Sequence, residues 1–131
     1  MVTLNEMSSL VNFRMPFKGN SVFAEWRNDT YCSLYSVYSY GYHFPMYIFD
    51  AEASVVDELG NVTGKGVWLG NSDKYSVTTT RHQNKCRPNT STMNNPMNNP
   101  MKYLTTEQMR EVFTAGGYTR YLIMRGEPLA A

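Results

Sequence analysis

The sequence predicts an α+β domain: a mainly antiparallel sheet of four to five strands, with one or two short helices packed on one face. Three observations carry this. The chain has 131 residues, enough for one core and hardly two, so residues 1–131 form a single domain. Its middle is rich in Tyr, Val and Ser and broken by short polar turns, which suits strands joined by hairpins. A capped amphipathic segment stands towards either end, giving the sheet its helices.

The first segment begins at Thr3, with Glu6 at the capping-box spacing and Leu4, Met7, Leu10 and Val11 on one helical face. Pro16 and Lys18-Gly19-Asn20 end it. Val22, Ala24 and Trp26 alternate with Ser21, Phe23 and Glu25, a strand pattern. Tyr31 to Tyr40 reads as a second strand, and Met46 to Phe49 as a third. Asp50 to Gly60 carries Asp50, Glu52, Asp57 and Glu58 and reads as an exposed acidic connection. Gly64 to Leu69 is a fourth strand, with Gly70-Asn71-Ser72-Asp73 turning after it. Residues 89–101 repeat Met-Asn-Asn-Pro and read as a flexible Asn/Pro-rich loop inside the domain, one that can be shortened. Thr105, with Gln108 three residues on, starts a second helix striped by Met109, Val112 and Phe113 and stopped by Gly116-Gly117. Tyr118 to Met124 reads as a last strand. The expected core is Trp26, Leu34, Ile48, Val67, Met109, Val112, Phe113 and Leu122, and Phe113→Ala is expected to cost about 3–5 kcal/mol.

Composition narrows the function. Net charge is +1, so bulk basicity gives no nucleic-acid signal. No apolar run approaches the roughly 20 residues of a membrane helix, and the first residues lack a basic start followed by an apolar stretch; neither a membrane partner nor secretion is expected. Walker, dinucleotide-binding, nucleophile-elbow and metalloprotease motifs are all missing. No cofactor and no catalytic residue is therefore assigned.

Three constellations remain. Six of the ten tyrosines lie between Tyr31 and Tyr47. Tyr38, Tyr40 and Tyr42 read either as a contact surface, where Tyr gives large amphipathic area, or as half core. Lys74 to Arg87 holds Lys74, Arg81, Lys85 and Arg87 among Tyr75, Ser76, Thr78, Thr79 and Thr80. If Thr78 or Thr79 caps a helix over Thr80 to Cys86, the cations and hydroxyls outline an anion site. The other reading is a capped surface helix with solvated charges. Cys32, His43, His82 and Cys86 exhaust the Cys and His residues. Their spacing forms no recognised zinc half-site, so buried thiols and no metal are expected.

The runs Val37 to Tyr47, Gly66 to Asn71 and Lys74 to Asn84 resemble a family of small uncharacterised proteins from tailed phages. The Tyr-Ser-x-Thr-Thr element (Tyr75, Ser76, Thr78, Thr79) and the following His82-Gln83 are its specific part, and the likeness covers residues 30–88. It implies a phage origin and a place in the cytoplasm of the infected bacterium. It implies no activity. The reading is a small non-catalytic interaction protein, an inhibitor of a host defence (anti-CRISPR-like) or a takeover factor. It would bind a host protein or nucleoprotein complex. Its expected contacts are Lys74, Tyr75, Ser76, Thr78, Thr79, Arg81, His82, Lys85 and Arg87, with Tyr38, Tyr40 and Tyr42. The alternatives are direct nucleic-acid binding through Lys74–Arg87 and a small enzyme with a histidine acid/base.

Overall fold

A computed structural model of the chain describes residues 3–28, 32–56, 59–74, 76–88 and 101–126, with the side chains of 4, 55, 56 and 63 left out. Helix α1 (Leu4–Asn12) leads into strands β1 (Phe17–Lys18), β2 (Val22–Asn28), β3 (Ser33–Ser39), β4 (Pro45–Val56) and β5 (Val62–Asn71). Helix α2 (Val77–Cys86) is followed by β6 (Lys102–Leu104), α3 (Thr106–Ala115) and α4 (Tyr118–Arg125). The strands form one sheet in sequence order, antiparallel from β1 to β5. The last pair, β5 and β6, is parallel, so the chain from β5 to β6 is a crossover and carries α2. The α+β class expected from the sequence is the class observed, with six strands among the described residues. No described helix is long and apolar enough to cross a membrane.

The helices cover both faces of the sheet, not one. Alternation along β3 divides the core. Tyr35 and Val37 face Met7 and Val11 of α1 and Cys86 of α2, joined by Val22, Ala24, Met46, Tyr47 and Trp68. Leu34 faces the other way, with Ile48, Val67 and Leu69 against Met109 and Val112 of α3 and Tyr121 and Leu122 of α4. The sheet is buried on both sides in its centre, which is why β3 is almost continuously buried. Of the expected core, Trp26 and Phe113 are only partly buried. Phe113→Ala therefore falls below the range for a fully buried aromatic.

Both capping boxes form. Glu6 accepts from the Thr3 amide and hydroxyl at 3.4 and 2.9 Å. Thr105 and Gln108 exchange bonds at 2.9 and 3.2 Å. The exit of α1 is pinned to the sheet by side chains. The Trp26 indole donates to the Arg14 carbonyl at 2.9 Å, and the Tyr35 hydroxyl to the Met15 carbonyl at 2.7 Å.

Two further expectations fail. Asp50 to Gly60 is not an exposed connection: β4 runs through it to Val56, with Ala53 buried and Glu52 outside, paired with Lys65 at 3.6 Å. Of the four acids there, Asp50 is buried and Glu52 exposed; Asp57 and Glu58 lie outside the described residues. Tyr118 to Met124 is helix, not strand. Its aromatic and β-branched residues favour a strand only weakly, and tertiary contacts override them. The contact that does so is Asp50, 2% exposed, whose carboxylate accepts from the Tyr118 amide at 2.7 Å and the Glu52 amide at 3.0 Å. A sheet carboxylate thus caps α4. Gly117 makes the approach possible: its φ is +127°, and a Cβ there would sit 3.1 Å from the Asp50 carboxylate. The Asn/Pro-rich loop lies outside the described residues except for Met101, which packs partly buried against the α1/α2 core.

Candidate functional site

Helix α2 begins at Ser76, not at Thr78 or Thr79. The Ser76 hydroxyl oxygen accepts from the Thr79 amide at 3.1 Å. The Thr79 side chain is buried beneath that cap, and Thr80 donates back to the Ser76 carbonyl at 3.0 Å. Several successive hydroxyls can each cap a helix, and what selects among them is how the helix is fastened further along.

That fastening is polar. The inward stripe of α2 is Thr79, His82, Gln83 and Cys86. Gln83 is 1% exposed. Its amide donates to the carbonyls of Asn71 and Asp73 at 3.1 and 3.2 Å and accepts from the Lys74 ammonium at 3.3 Å. The Tyr47 hydroxyl donates to the Gln83 carbonyl at 2.6 Å. Asn71 extends the network: its amide donates to the Pro45 carbonyl at 2.7 Å and the Thr106 hydroxyl at 2.9 Å. Asp73 accepts from the Thr106 amide at 2.8 Å, which ties the start of α3 to the same strand end. His82, 6% exposed, joins α2 to β3 through a 2.8 Å bond between its Nδ1 and the Ser39 hydroxyl. Ser76, Thr79, His82 and Gln83 therefore hold the helix in place: Ser76 caps it from an exposed position, and the bonds of buried His82 and Gln83 are ones that a buried polar group requires.

The outward side is of another kind. Lys74, Ser76, Thr78, Arg81, Lys85 and Arg87 are exposed. Lys74, Ser76, Val77, Thr80, Arg81, Asn84 and Lys85 line an open concavity of about 850 Å³. Its lining holds three cations and no acid. Arg81 and Lys85 stand one turn apart on one face, and like charges at that spacing repel mildly. A partner of negative charge removes the repulsion. Tyr75 lies outside the described residues.

The tyrosines separate. Tyr35, Tyr38 and Tyr47 are buried, whereas Tyr40 and Tyr42 are exposed; Tyr31 lies outside the described residues. Tyr38 is thereby corrected from contact surface to core: its ring stacks on Phe23 at 5.0 Å and meets Tyr42 at 5.0 Å and Phe113 at 6.5 Å. Tyr42 stands on that side too, its hydroxyl donating to Glu25 at 3.1 Å. Of Tyr40 and Tyr42, it is Tyr40 that turns towards α2, its ring 5.4 Å from that of His82.

Cys32 and Cys86 are buried on opposite faces of the sheet, so no bridge joins them, and they do not meet His43 and His82 at one point. Burial pushes the Cys86 thiol up to about 12. His43 is exposed, and its carbonyl accepts from Arg110 at 2.9 Å. Comparison with protein families, curated proteins and solved structures returns no match for this chain, so the site rests on its own residues.

Two tests separate the holding residues from the outward ones. Ser76→Ala should lower stability by about 1 kcal/mol. Any partner should then be lost only in proportion to the folded fraction, as paired denaturation and binding titrations would show. For His82, burial, then the Arg81 charge, lowers the pKa. The unfolded chain then binds a proton near pH ~6.5 that the folded chain resists. Stability is complete above that pH and falls as pH drops below it. Melting temperature should therefore decline as pH falls below about 7, and His82→Gln should flatten the decline. An unchanged slope would remove His82 as its source.

Proposed function

We propose that this chain is a small, phage-encoded, non-catalytic interaction protein of the infected bacterial cytoplasm. Through the outward face of α2 it holds a protein or nucleoprotein complex of the host, as a defence inhibitor or takeover factor. The observation that carries this is the acid-free cationic concavity around Lys74, Arg81 and Lys85, on a helix whose inner side is fastened to the sheet by the hydrogen bonds of His82 and Gln83 and the packing of Cys86. Such a face offers charge complementarity and a rigid backing, which favour specific association. The phage origin and the cellular setting rest on the resemblance of residues 30–88.

Affinity capture tests it. The tagged chain, incubated with lysate of a susceptible bacterium before and after infection, should retain one partner in stoichiometric amount. Retention should weaken as salt rises. A chain that retains nothing in either lysate at low salt does not do this work.

A further inference from the structure

We propose that the ligand of the α2 face is a single-stranded nucleic acid, with Tyr40 as the platform on which one base stacks; this rests on the reading of α2 as the binding face and names what it binds. Tyr40 lies at the β3–β4 turn with φ +60°, the left-handed region that glycine and asparagine enter easily and a bulky side chain rarely does. Backbone strain alone assigns nothing. Its consequence is positional: alternation along β3 would send Tyr40 to the side of Tyr38, and the turn instead lays its ring against His82. The residue remains 54% exposed.

Helical spacing then fixes its neighbours. Thr78, His82 and Lys85 follow one another at i, i+4 and i+7, one stripe of α2, and Arg81 is one turn before Lys85. His82, against which the Tyr40 ring lies, is thus next to the flank of α2 that carries Lys85, and Ser39 holds its imidazole by the Nδ1; Tyr40 itself stands outside the lining of the concavity. Cations along one side of a helix and an exposed aromatic backed by His82 of the same helix are what a phosphodiester strand with unstacked bases needs. An acidic peptide would use the cations and leave the ring without a task. Duplex DNA would hide the base faces. Arg81 and Lys85 are given phosphate contacts, and Tyr40 the base.

The test uses the full chain and two fluorescent probes of equal length, an oligothymidylate and an abasic deoxyribose-phosphate strand, read by anisotropy at low salt. The thymidylate should bind roughly tenfold more tightly than the abasic strand. Tyr40→Asn suits the left-handed backbone and keeps the fold; it should bind the two probes equally. Tyr40→Trp should keep the difference. Arg81→Ala with Lys85→Ala should weaken both probes alike. Equal binding of the two probes by the parent chain, or a difference that survives in Tyr40→Asn, overturns the stacking role. If the parent binds neither probe, the nucleic-acid inference fails, and the partner retained from lysate decides the rest. Its loss in the Arg81/Lys85 variant leaves the α2 face standing as a protein-binding surface; its retention removes that reading too.

Discussion

Replacing Asp50 by Ala should lower the stability of the fold by about 3–5 kcal/mol, a large part of the 5–15 kcal/mol typical of a domain. The carboxylate is buried and accepts two backbone amides, one at the start of α4 and one two residues ahead on its own strand. Bonds to a charged acceptor contribute more than neutral ones, and removing the acceptor takes such a bond from two part-buried amides. Gly117 lets the carboxylate approach the start of α4, where a Cβ at 117 would sit 3.1 Å from it. Asp50→Asn keeps one acceptor oxygen and should cost less than Ala. Urea denaturation at neutral pH measures both. A loss under about 1 kcal/mol in Asp50→Ala would mean that α4 is held by Tyr121 and Leu122 alone.

The second large effect concerns binding. Arg81→Ala with Lys85→Ala should abolish retention of the partner while the melting temperature stays within a few degrees of the parent. Both side chains are exposed, and no described acid pairs with either in a salt bridge. Surface substitutions of this kind usually change stability by less than about 0.5 kcal/mol. If the contacts are to phosphates on a single strand, the slope of log affinity against log salt should also become shallower by about 1.4. Undiminished binding by the double variant would move the contact surface to the aromatic side of the sheet, around Tyr42.

What the sequence made legible was local. Thr3 with Glu6 and Thr105 with Gln108 cap their own helices through neighbours three residues away, and Gly116 ends α3 by its own left-handed backbone. Strands β2 and β3 follow from their composition. Features that depend on distant contacts stayed hidden. Asp50 looks like surface charge until Tyr118, 68 positions later, comes to it. The Tyr118 segment reads as a strand until that carboxylate caps it as a helix. The short parallel β6 has no pattern of its own; it exists because Lys102, Tyr103 and Leu104 align with Leu69, Gly70 and Asn71.

The same division runs through the site. Exposure of Lys74, Arg81, Lys85 and Arg87 follows from their charge and is readable. Which hydroxyl caps α2 is not, because Ser76, Thr78 and Thr79 are chemically alike and only the anchoring of Gln83 and His82 to β5 and β3 sets the helix register. Tyr38 and Tyr40 are two residues apart and belong to one side by alternation; the left-handed turn at Tyr40 parts them. His82 and Gln83, prominent in the sequence, turn out to be fasteners.

The most direct test of the α2 face is amide hydrogen exchange on the chain alone and bound to the partner it retains. The account predicts that added protection concentrates on residues 74 and 76–86 and on the turn at Tyr40 and Gly41. The opposite side, with Phe23, Tyr42 and α3, should exchange as it does in the free chain. Protection centred on Tyr42 and α3, with α2 unchanged, would contradict it.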